Sequence, residues 1–205
     1  GMIKFTKGDL SIENKSIQSE LFKRIYYNLY RNNSKSTKGK SIMITSCVKN
    51  EGKTYTAFNF SRFLASTGKK VLLVGADLGN PDLKKFFVQN KINSRGLTDI
   101  INDNENNFKE LFEKYKISDD QLDTLFVGTK TNNKNSIFDN NKFDNLISFL
   151  NEQYDYVIFD TAPIMLMVDS LKLLTKLDYT IHVFRKNYSS KKFVNFVSDY
   201  KEKYK

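Results

Sequence analysis

Side chains that form disulfides or bind transition metals are scarce in this chain of 205 residues, which has one Cys and one His. A single cysteine excludes an intrachain disulfide, and the two residues together exclude a zinc site built from several Cys and His ligands. They also leave little room for a Cys/His nucleophile pair. The chemistry of any site must therefore come from carboxylates, lysines, hydroxyls and the backbone.

Long apolar runs are also missing. No stretch approaches the roughly 20 apolar residues of a membrane span, and no basic-then-apolar leader opens the chain, so the sequence predicts a soluble cytoplasmic protein. Acidic residues are in deficit, with 23 Asp and Glu against 33 Lys and Arg. The resulting net charge of +10 predicts an anionic partner but does not choose among nucleotide, nucleic acid, acidic protein and lipid headgroups.

Strand-like apolar runs alternate with helix-length segments along most of the chain. The runs occupy residues 41–46, 70–76, 124–128, 154–160 and 179–185. This alternation predicts an α/β fold of three layers (α/β/α), in which a mostly parallel sheet is covered by helices on both faces. The Asn-rich segment 129–141 predicts an exposed loop, and short helical pieces are predicted between residues 84 and 103.

A candidate phosphate loop follows the first apolar run, with the sequence CVKNEGKT at residues 47–54 and a helix after it. Gly52 lets backbone amides close around a phosphate, Lys53 can reach the β- and γ-phosphates, and the Thr54 hydroxyl can bind Mg²⁺. The alternative is an ordinary strand-to-helix turn that contains Gly-Lys-Thr by chance. The residues predicted to contact nucleotide here are Val48, Lys49, Asn50, Glu51, Gly52, Lys53, Thr54 and Tyr55.

Two later apolar runs end in a carboxylate, at Asp77 and at Asp160. Ligands of open α/β sheets bind at the carboxyl ends of the strands, so both side chains are predicted to face the same crevice as the phosphate loop. Taken singly, each is more often a solvated strand end. Taken in order with the phosphate loop, they predict a Mg²⁺ site shared with Thr54. Residues 41–205 are then a P-loop nucleotide-binding domain, and residues 1–40 an N-terminal amphipathic helix and linker.

The chain resembles the bacterial tyrosine kinases (BY-kinases) of capsule and exopolysaccharide systems, in their cytoplasmic P-loop domain, over most of its length. The resemblance implies an ATP-Mg²⁺ enzyme that phosphorylates tyrosines in its own C-terminal tail and forms rings. It also implies a membrane-anchored polysaccharide co-polymerase or activator as partner, and a place at the inner face of the membrane. The segments that carry it are Ser19-Glu20, ITSCVKNEGKT (44–54), KKVLLVGADLGNPDL (69–83), RGLTD (95–99), LFVG (125–128), YDYVIFDTAPIMLMVDS (154–170) and HVFRKNYSS (182–190).

Residue roles follow from this resemblance. It implies that Lys53, Asp77 and Asp160 are the catalytic residues, and that Thr54 joins the two aspartates in organising Mg²⁺. Arg185 stands where the family also has an arginine, which implies contact with the nucleotide. His182, in the middle of a predicted strand, is given no catalytic role.

Two motifs depart from the family pattern. The second Walker A-like motif of the family reads Asp-x-Asp-x-Arg, and here its positions are Gly75, Asp77 and Gly79. Glycine offers no proton acceptor for an attacking tyrosine, so we expect weakened or lost tyrosine kinase activity. The family also carries Glu-x-x-Arg-x-x-Arg in its leading helix for subunit contacts. Because Glu20 and Lys23 keep charge there while Tyr26 does not, self-association through this helix stays an expectation.

The sequence leaves several readings open. The chain ends after one more helix, without the last strand and tyrosine-rich tail expected of the family, so it is either trimmed or lacks its own substrate. An ATP-binding scaffold or regulator of a membrane polysaccharide machine is the main alternative to a kinase. A partition-type ATPase ranks lower, because its signature Lys position is Val48, with Lys49 one residue off. Scattered basic residues predict no specific nucleic-acid partner but allow peripheral contact with anionic lipids.

Overall fold

The computed structural model describes residues 12–31, 38–87, 93–103, 108–119, 122–129 and 137–203. Within these ranges no helix is both long and apolar enough to span a bilayer. In chain order the described elements are α1 (Ile12–Arg31), β1 (Lys40–Ser46), α2 (Lys53–Ser66), β2 (Val71–Ala76), a 3₁₀ helix (Asp82–Phe86), α3 (Leu97–Asn102), α4 (Phe108–Tyr115), β3 (Ile117–Asp119), β4 (Leu122–Leu125), α5 (Asn141–Gln153), β5 (Tyr156–Thr161), α6 (Val168–Lys176), β6 (Tyr179–Val183) and α7 (Lys191–Lys203).

The strands form one sheet in the order β3-β4-β2-β5-β1-β6, with every neighbouring pair parallel except β3 and β4. This confirms the predicted mostly parallel sheet. Strands β2 and β5 are buried at every residue, as expected of parallel strands that are covered on both faces. Asp160 of β5 is paired in register with Ile44 of β1 on one side and with Gly75 of β2 on the other. The carboxyl ends of β1, β2 and β5 therefore meet at one edge.

Side chains of successive strand residues pack into two separate cores, one on each face of the sheet. In β1, Ile42 and Ile44 join the core under α1 and α2, whereas Met43 joins the core under α3, α4, α5 and α6. The period of two along a strand produces this division. Phe60 and Leu64 of α2 are fully buried in the first core, and burial of each is worth roughly 2 kcal/mol. Helices on both faces confirm the three-layer arrangement.

The leading helix α1 packs on α2 through one apolar face. Phe22 is 5% exposed, and its ring centroid lies 5.5 Å from that of Phe60. Tyr26 meets Tyr156 of β5 edge to face at 6.3 Å. Tyr27 and Tyr30 lie outside this packed face, and both are more than half exposed. Helix α1 is thus amphipathic and spans Ile12–Arg31, within the segment 1–40 for which the sequence predicts a helix and a linker.

Two expectations about loops need correction. Strand β3 was not predicted, because three residues are too few to show an alternating pattern, and it pairs antiparallel with β4 at the edge of the sheet. In the Asn-rich segment, Ile137 and Phe138 are buried rather than exposed, and the Phe138 ring lies 5.1 Å from that of Phe143. These two apolar residues are drawn into the core beside α5, while residues 130–136 lie outside the described ranges.

The RGLTD segment ties the start of α3 to the backbone that follows β4. Gly96 donates its N–H to Asp99 Oδ2 at 2.8 Å, and the N–H of Leu97 donates to the Phe126 carbonyl at 2.9 Å. The Thr98 N–H continues this bonding with Val127 O at 2.8 Å. The close approach of two backbone segments requires a residue without Cβ at position 96, since a Cβ there would lie 2.1 Å from Phe126 O.

We expect Gly96→Ala to destabilise the fold, because the added methyl group overlaps a backbone oxygen that cannot move aside freely. The free energy of unfolding should fall by about 2 kcal/mol or more. The matched control is Gly79→Ala, where the new Cβ would sit 3.5 Å from its nearest neighbours, an ordinary contact. Chemical denaturation of both variants measures the difference, and equal midpoints would contradict the assignment.

His182 introduces a pH dependence into the stability of the edge strand β6. The imidazole is partly buried, its Nδ1 has no hydrogen-bond partner among the described residues, and burial lowers its pKa from 6.5 to about 4. In the unfolded chain the ring regains its ordinary pKa, so that state binds the proton first as the pH falls. The stabilisation is therefore complete above pH 6.5 and is lost between 6.5 and about 4.

We expect His182→Gln to flatten the fall of stability across this pH window. Linkage gives an upper bound of about 3 kcal/mol for the stability that the wild type loses there through this group. Urea denaturation of both proteins at several pH values measures the effect. Carboxylates that titrate in the same range contribute equally to both proteins, so parallel profiles would show that His182 is not responsible.

Candidate nucleotide-binding site

The loop between β1 and α2 turns sharply so that the helix N-terminus faces the edge where the strands end. Gly52 adopts a left-handed conformation with φ 95°, which a glycine adopts without strain, and it precedes the first helical residue. The Thr56 N–H and its hydroxyl both donate to the Gly52 carbonyl, each at 2.9 Å. The first amides and the positive dipole end of α2 therefore point at the space above the sheet, an arrangement that favours anions.

A cavity of about 760 Å³ lies in front of this loop, within the size range of small-molecule sites. Segments after β1, β2, β5 and β6 all contribute to its wall. The predicted site residues that line it are Lys49, Asn50, Gly52, Lys53, Thr54, Tyr55, Asp77 and Arg185. The other predicted residues, Val48, Glu51 and Asp160, lie close by without lining it.

Lys53 and Asp77 form a buried ion pair at the floor of the cavity. Lys53 Nζ lies 3.2 Å from Asp77 Oδ2, and the two side chains are 8% and 5% exposed. The other carboxylate oxygen accepts from the backbone N–H groups of Gly79 at 3.1 Å and Asn80 at 2.9 Å. The carboxylate is thus held by the turn that follows β2, and it in turn holds the lysine ammonium at the phosphate loop. Removing either partner would leave a buried charge unpaired, which is costly.

Asp160, at the end of β5, carries a carboxylate that is only partly satisfied. It is 2% exposed and accepts a hydrogen bond from the side chain of Thr54, but its Oδ1 has no partner in the described part of the chain. Burial raises its pKa to about 7, against the opposing charge of Lys53 and the bond from Thr54. A cation beside this carboxylate would favour its charged form.

A magnesium ion fits this chemistry. The hydroxyl of Thr54 and the carboxylates of Asp77 and Asp160 are the oxygen ligands that Mg²⁺ prefers, and the unpartnered Oδ1 of Asp160 is a buried acceptor that needs a partner. Among the residues that the structure covers, no three His, Cys, Asp or Glu side chains are grouped to hold a metal by themselves. An ion here would therefore take most of its ligands from nucleotide phosphates and water, as Mg²⁺ commonly does.

The turn after β6, residues 184–190, closes the site on the side of the phosphate loop. The Arg185 guanidinium donates to the Asn50 carbonyl at 3.2 Å and lies 5.2 Å from the ring centroid of Tyr188. Tyr188 is half exposed and lines the cavity. The sequence by itself assigns Tyr188 no role at the site. Its position just after a strand, on the same edge as Asp77 and Asp160, was the signal that could have identified it.

Glu51 behaves differently from its neighbours in the phosphate loop. Its side chain is fully buried and turned into the protein, where Oε2 accepts from the Val48 N–H at 2.9 Å and Oε1 accepts from the Ser189 hydroxyl. Cys47, at the first loop position, is buried as well. Burial, and then the charge of Glu51, raise the pKa of its thiol to about 11, so it stays protonated at neutral pH.

On α1, the two charged residues expected at a subunit contact are exposed. Glu20 and Lys23 face each other at 3.6 Å as an ion pair one turn apart, with more than half of each side chain accessible. An exposed pair of this kind contributes little to stability. Both side chains are therefore available to a partner, and self-association through this helix stays a prediction.

A parallel sheet with a phosphate loop after β1 and carboxylates at the ends of β2 and β5 is the architecture of P-loop nucleotide-binding proteins. A family model described as an AAA domain matches residues 39–205. The tyrosine-protein kinase CpsD of Streptococcus pneumoniae is 31% identical over 163 residues, which are 77% of this chain and 69% of that protein. The tyrosine-protein kinase YwqD of Bacillus subtilis is 35% identical, over 77% of this chain and 64% of its own length. The chain thus belongs to the family of bacterial tyrosine-protein kinases.

Solved structures agree with the fold. A crystal structure of the chimerical protein CapA2B2 superposes with a TM-score of 0.80 at 24% identity, covering 99% of this chain and 87% of that one. A plasmid partition protein from Borrelia burgdorferi gives a TM-score of 0.60 at 21% identity, covering 80% of this chain and 74% of that one. Likeness at these identities concerns the fold alone, and partition ATPases share it.

Proposed function

We propose that this chain binds ATP with Mg²⁺ in the 760 Å³ cavity and acts as a nucleotide-dependent member of a polysaccharide synthesis and export machine. The observation that carries the proposal is the convergence of three groups at the N-terminus of α2. Lys53 begins that helix, Thr54 follows it, and Asp160 bonds to Thr54 from the neighbouring strand. An ammonium, a hydroxyl and a carboxylate in this arrangement suit the phosphates and the metal of a nucleoside triphosphate.

The roles within the site divide as follows. The amides at the start of α2 and the ammonium of Lys53 bind the β- and γ-phosphates, while Thr54 and Asp160 hold Mg²⁺ directly or through water. Asp77 keeps Lys53 oriented through the 3.2 Å ion pair and lines the same cavity as Thr54, so we propose that it also serves the metal site. Bound Mg²⁺ would supply neutralising charge to the phosphates. Arg185 and Tyr188 offer a guanidinium and an aromatic face to the nucleoside end.

Tyrosine kinase activity needs a group that accepts the proton of the attacking phenol, and we propose that this chain supplies it poorly. The backbone N of Val127 lies 3.2 Å, and the side chains of Leu83 and Val127 lie 3.4 Å, from where a Cβ of residue 75 would be, so the position of the family's first aspartate leaves little room for a side chain. The carboxylates that line the cavity in the described residues are both paired with lysines, Asp77 with Lys53 and Asp82 with Lys85.

A second candidate function is an active autokinase, supported by family membership and by the intact Lys53 and Asp160. The two candidates share the nucleotide site and differ only in phosphotransfer. In both, we infer that the natural partner is a membrane-anchored activator or co-polymerase, and that the excess positive charge favours a position near anionic headgroups at the inner face of the membrane. The first candidate is preferred because two motif positions, 75 and 79, are glycines.

We expect Lys53→Ala to weaken ATP-Mg²⁺ binding by about 100-fold, since it removes a charged hydrogen-bond donor from the phosphates. The fold should persist with a stability lowered by about 1–3 kcal/mol, because Asp77 keeps its backbone donors but loses its counter-charge. The matched control is Lys192→Ala, at an exposed lysine of α7. Calorimetric titration measures both affinities. An unchanged affinity in the Lys53 variant would overturn the site assignment.

We expect the purified chain incubated with ATP-Mg²⁺ to form no detectable phosphotyrosine, because no free carboxylate lines the described cavity to accept the phenolic proton. Anti-phosphotyrosine immunoblotting and mass spectrometry measure the outcome, and Lys53→Ala serves as the background control. The appearance of phosphotyrosine in the wild type, but not in that variant, would favour the autokinase. A protein that binds ATP without phosphorylating itself supports the regulatory function.

A further inference from the structure

A fully buried carboxylate within the phosphate loop needs an explanation. Glu51 adds negative charge beside a site built for an anion, and this repels a phosphate ligand. In the part of the chain that the structure describes, its carboxylate has no ion-pair partner, and both of its oxygens are engaged by uncharged donors. Burial of a charge costs free energy, which hydrogen bonds offset, so these two bonds must account for a buried carboxylate at this position.

The first of these bonds acts inside the loop. Glu51 Oε2 accepts the Val48 N–H at 2.9 Å, so that amide is already hydrogen-bonded. The bond also ties the first residues of the loop to Glu51, three positions later. Ser46 strengthens the same closure, since its hydroxyl donates to the Val48 carbonyl at 2.7 Å. The phosphate contacts must then come from amides later in the loop, and the carboxylate is turned away from the ligand.

The second bond leaves the loop and reaches the turn after β6. Ser189 donates its hydroxyl to Glu51 Oε1, and Ser189 Oγ itself accepts the Arg185 N–H at 2.6 Å. Backbone bonds to the Arg185 carbonyl, from Tyr188 at 3.1 Å and Ser189 at 2.8 Å, complete this turn. Ser189 thus closes its own turn and anchors it to the phosphate loop. Arg185 adds a weaker link at 3.2 Å to Asn50 O.

We propose that Glu51 and Ser189 are positioning residues that lock the β6–α7 turn onto the phosphate loop, so that one wall of the site is set for the nucleoside while the other binds the phosphates. Neither side chain touches the ligand. The proposal rests on the nucleotide-binding function proposed above. It requires that loss of the Glu51–Ser189 bond, which we call the lock, weakens binding of a nucleoside triphosphate more than binding of inorganic tripolyphosphate. The nucleoside triphosphate contacts both walls, whereas tripolyphosphate contacts only the phosphate loop.

The test compares Mg²⁺-dependent binding of ATP and of tripolyphosphate by calorimetry, in the wild type and in five variants of the full chain. Ser189→Ala should weaken ATP binding about 10-fold and tripolyphosphate binding less than about twofold, because the Val48 bond survives. Ser190→Ala is the matched control, since Ser190 is exposed and its hydroxyl accepts a 3.3 Å bond from the Lys192 N–H, and it should match the wild type.

Variants of Glu51 separate positioning from charge. Glu51→Gln should keep ATP affinity within about threefold, because its carbonyl oxygen can accept from Val48 and its NH₂ can donate to the Ser189 oxygen. Glu51→Ala combined with Ser189→Ala should weaken ATP binding no more than Glu51→Ala alone, because the two residues act through one bond. If Ser189→Ala fails to fold in a thermal melt, Ser189→Cys replaces it, with a weaker donor of similar shape.

Two results would overturn the proposed positioning role of Glu51 and Ser189. One is ATP binding by Ser189→Ala that equals binding by Ser190→Ala. The other is an equal loss for ATP and tripolyphosphate, which would reveal a general structural defect. Failure of the proposed function gives a distinguishable result, because the wild type itself would then bind neither ATP nor tripolyphosphate. That result would also overturn the positioning role of Glu51 and Ser189.

Discussion

The parallel pairing of β5 with β1 on one side and β2 on the other is the constraint on which the site depends. Its register sets Asp160 beside Ile44 and Gly75, so three strands end at the same level. The phosphate loop and the turn that carries Asp77 both start from those ends. The convergence of the ammonium, hydroxyl and carboxylate groups is therefore a consequence of backbone hydrogen bonding in the sheet.

Four buried ionisable side chains lie near this edge: Lys53, Asp77, Asp160 and Glu51. The three carboxylates differ in how many of their oxygens have hydrogen-bond or ion-pair partners. Asp77 is saturated by Lys53 and two amides, and Glu51 by two uncharged donors, whereas Asp160 keeps one oxygen without a partner among the described residues. The unequal satisfaction separates the roles that we propose: orientation of the lysine, bracing of the loop, and contact with a cation.

Family membership and individual chemistry are separate questions in this chain. The two relatives named above align with this chain over 69% and 64% of their own length. From the sequence we expect a departure from the family at positions 75 and 79, and the space beside Gly75 is bordered by Val127 and Leu83. The groups that we propose for nucleotide binding lie on α2 and β5, whereas position 75 lies within β2. The two questions can therefore be tested separately.

The sequence alone determined the layered α/β fold, the phosphate loop and the order of its partners, because these features are encoded in local periodicity and in short contiguous motifs. The tertiary structure decided what depends on residues distant along the chain. The bond from Ser189 to Glu51 spans 138 positions, strand β3 exists only through its pairing with β4, and Phe138 is buried because α5 packs over it. No local sequence pattern predicts such contacts, because they form only when the sheet brings segments that are distant in the sequence together.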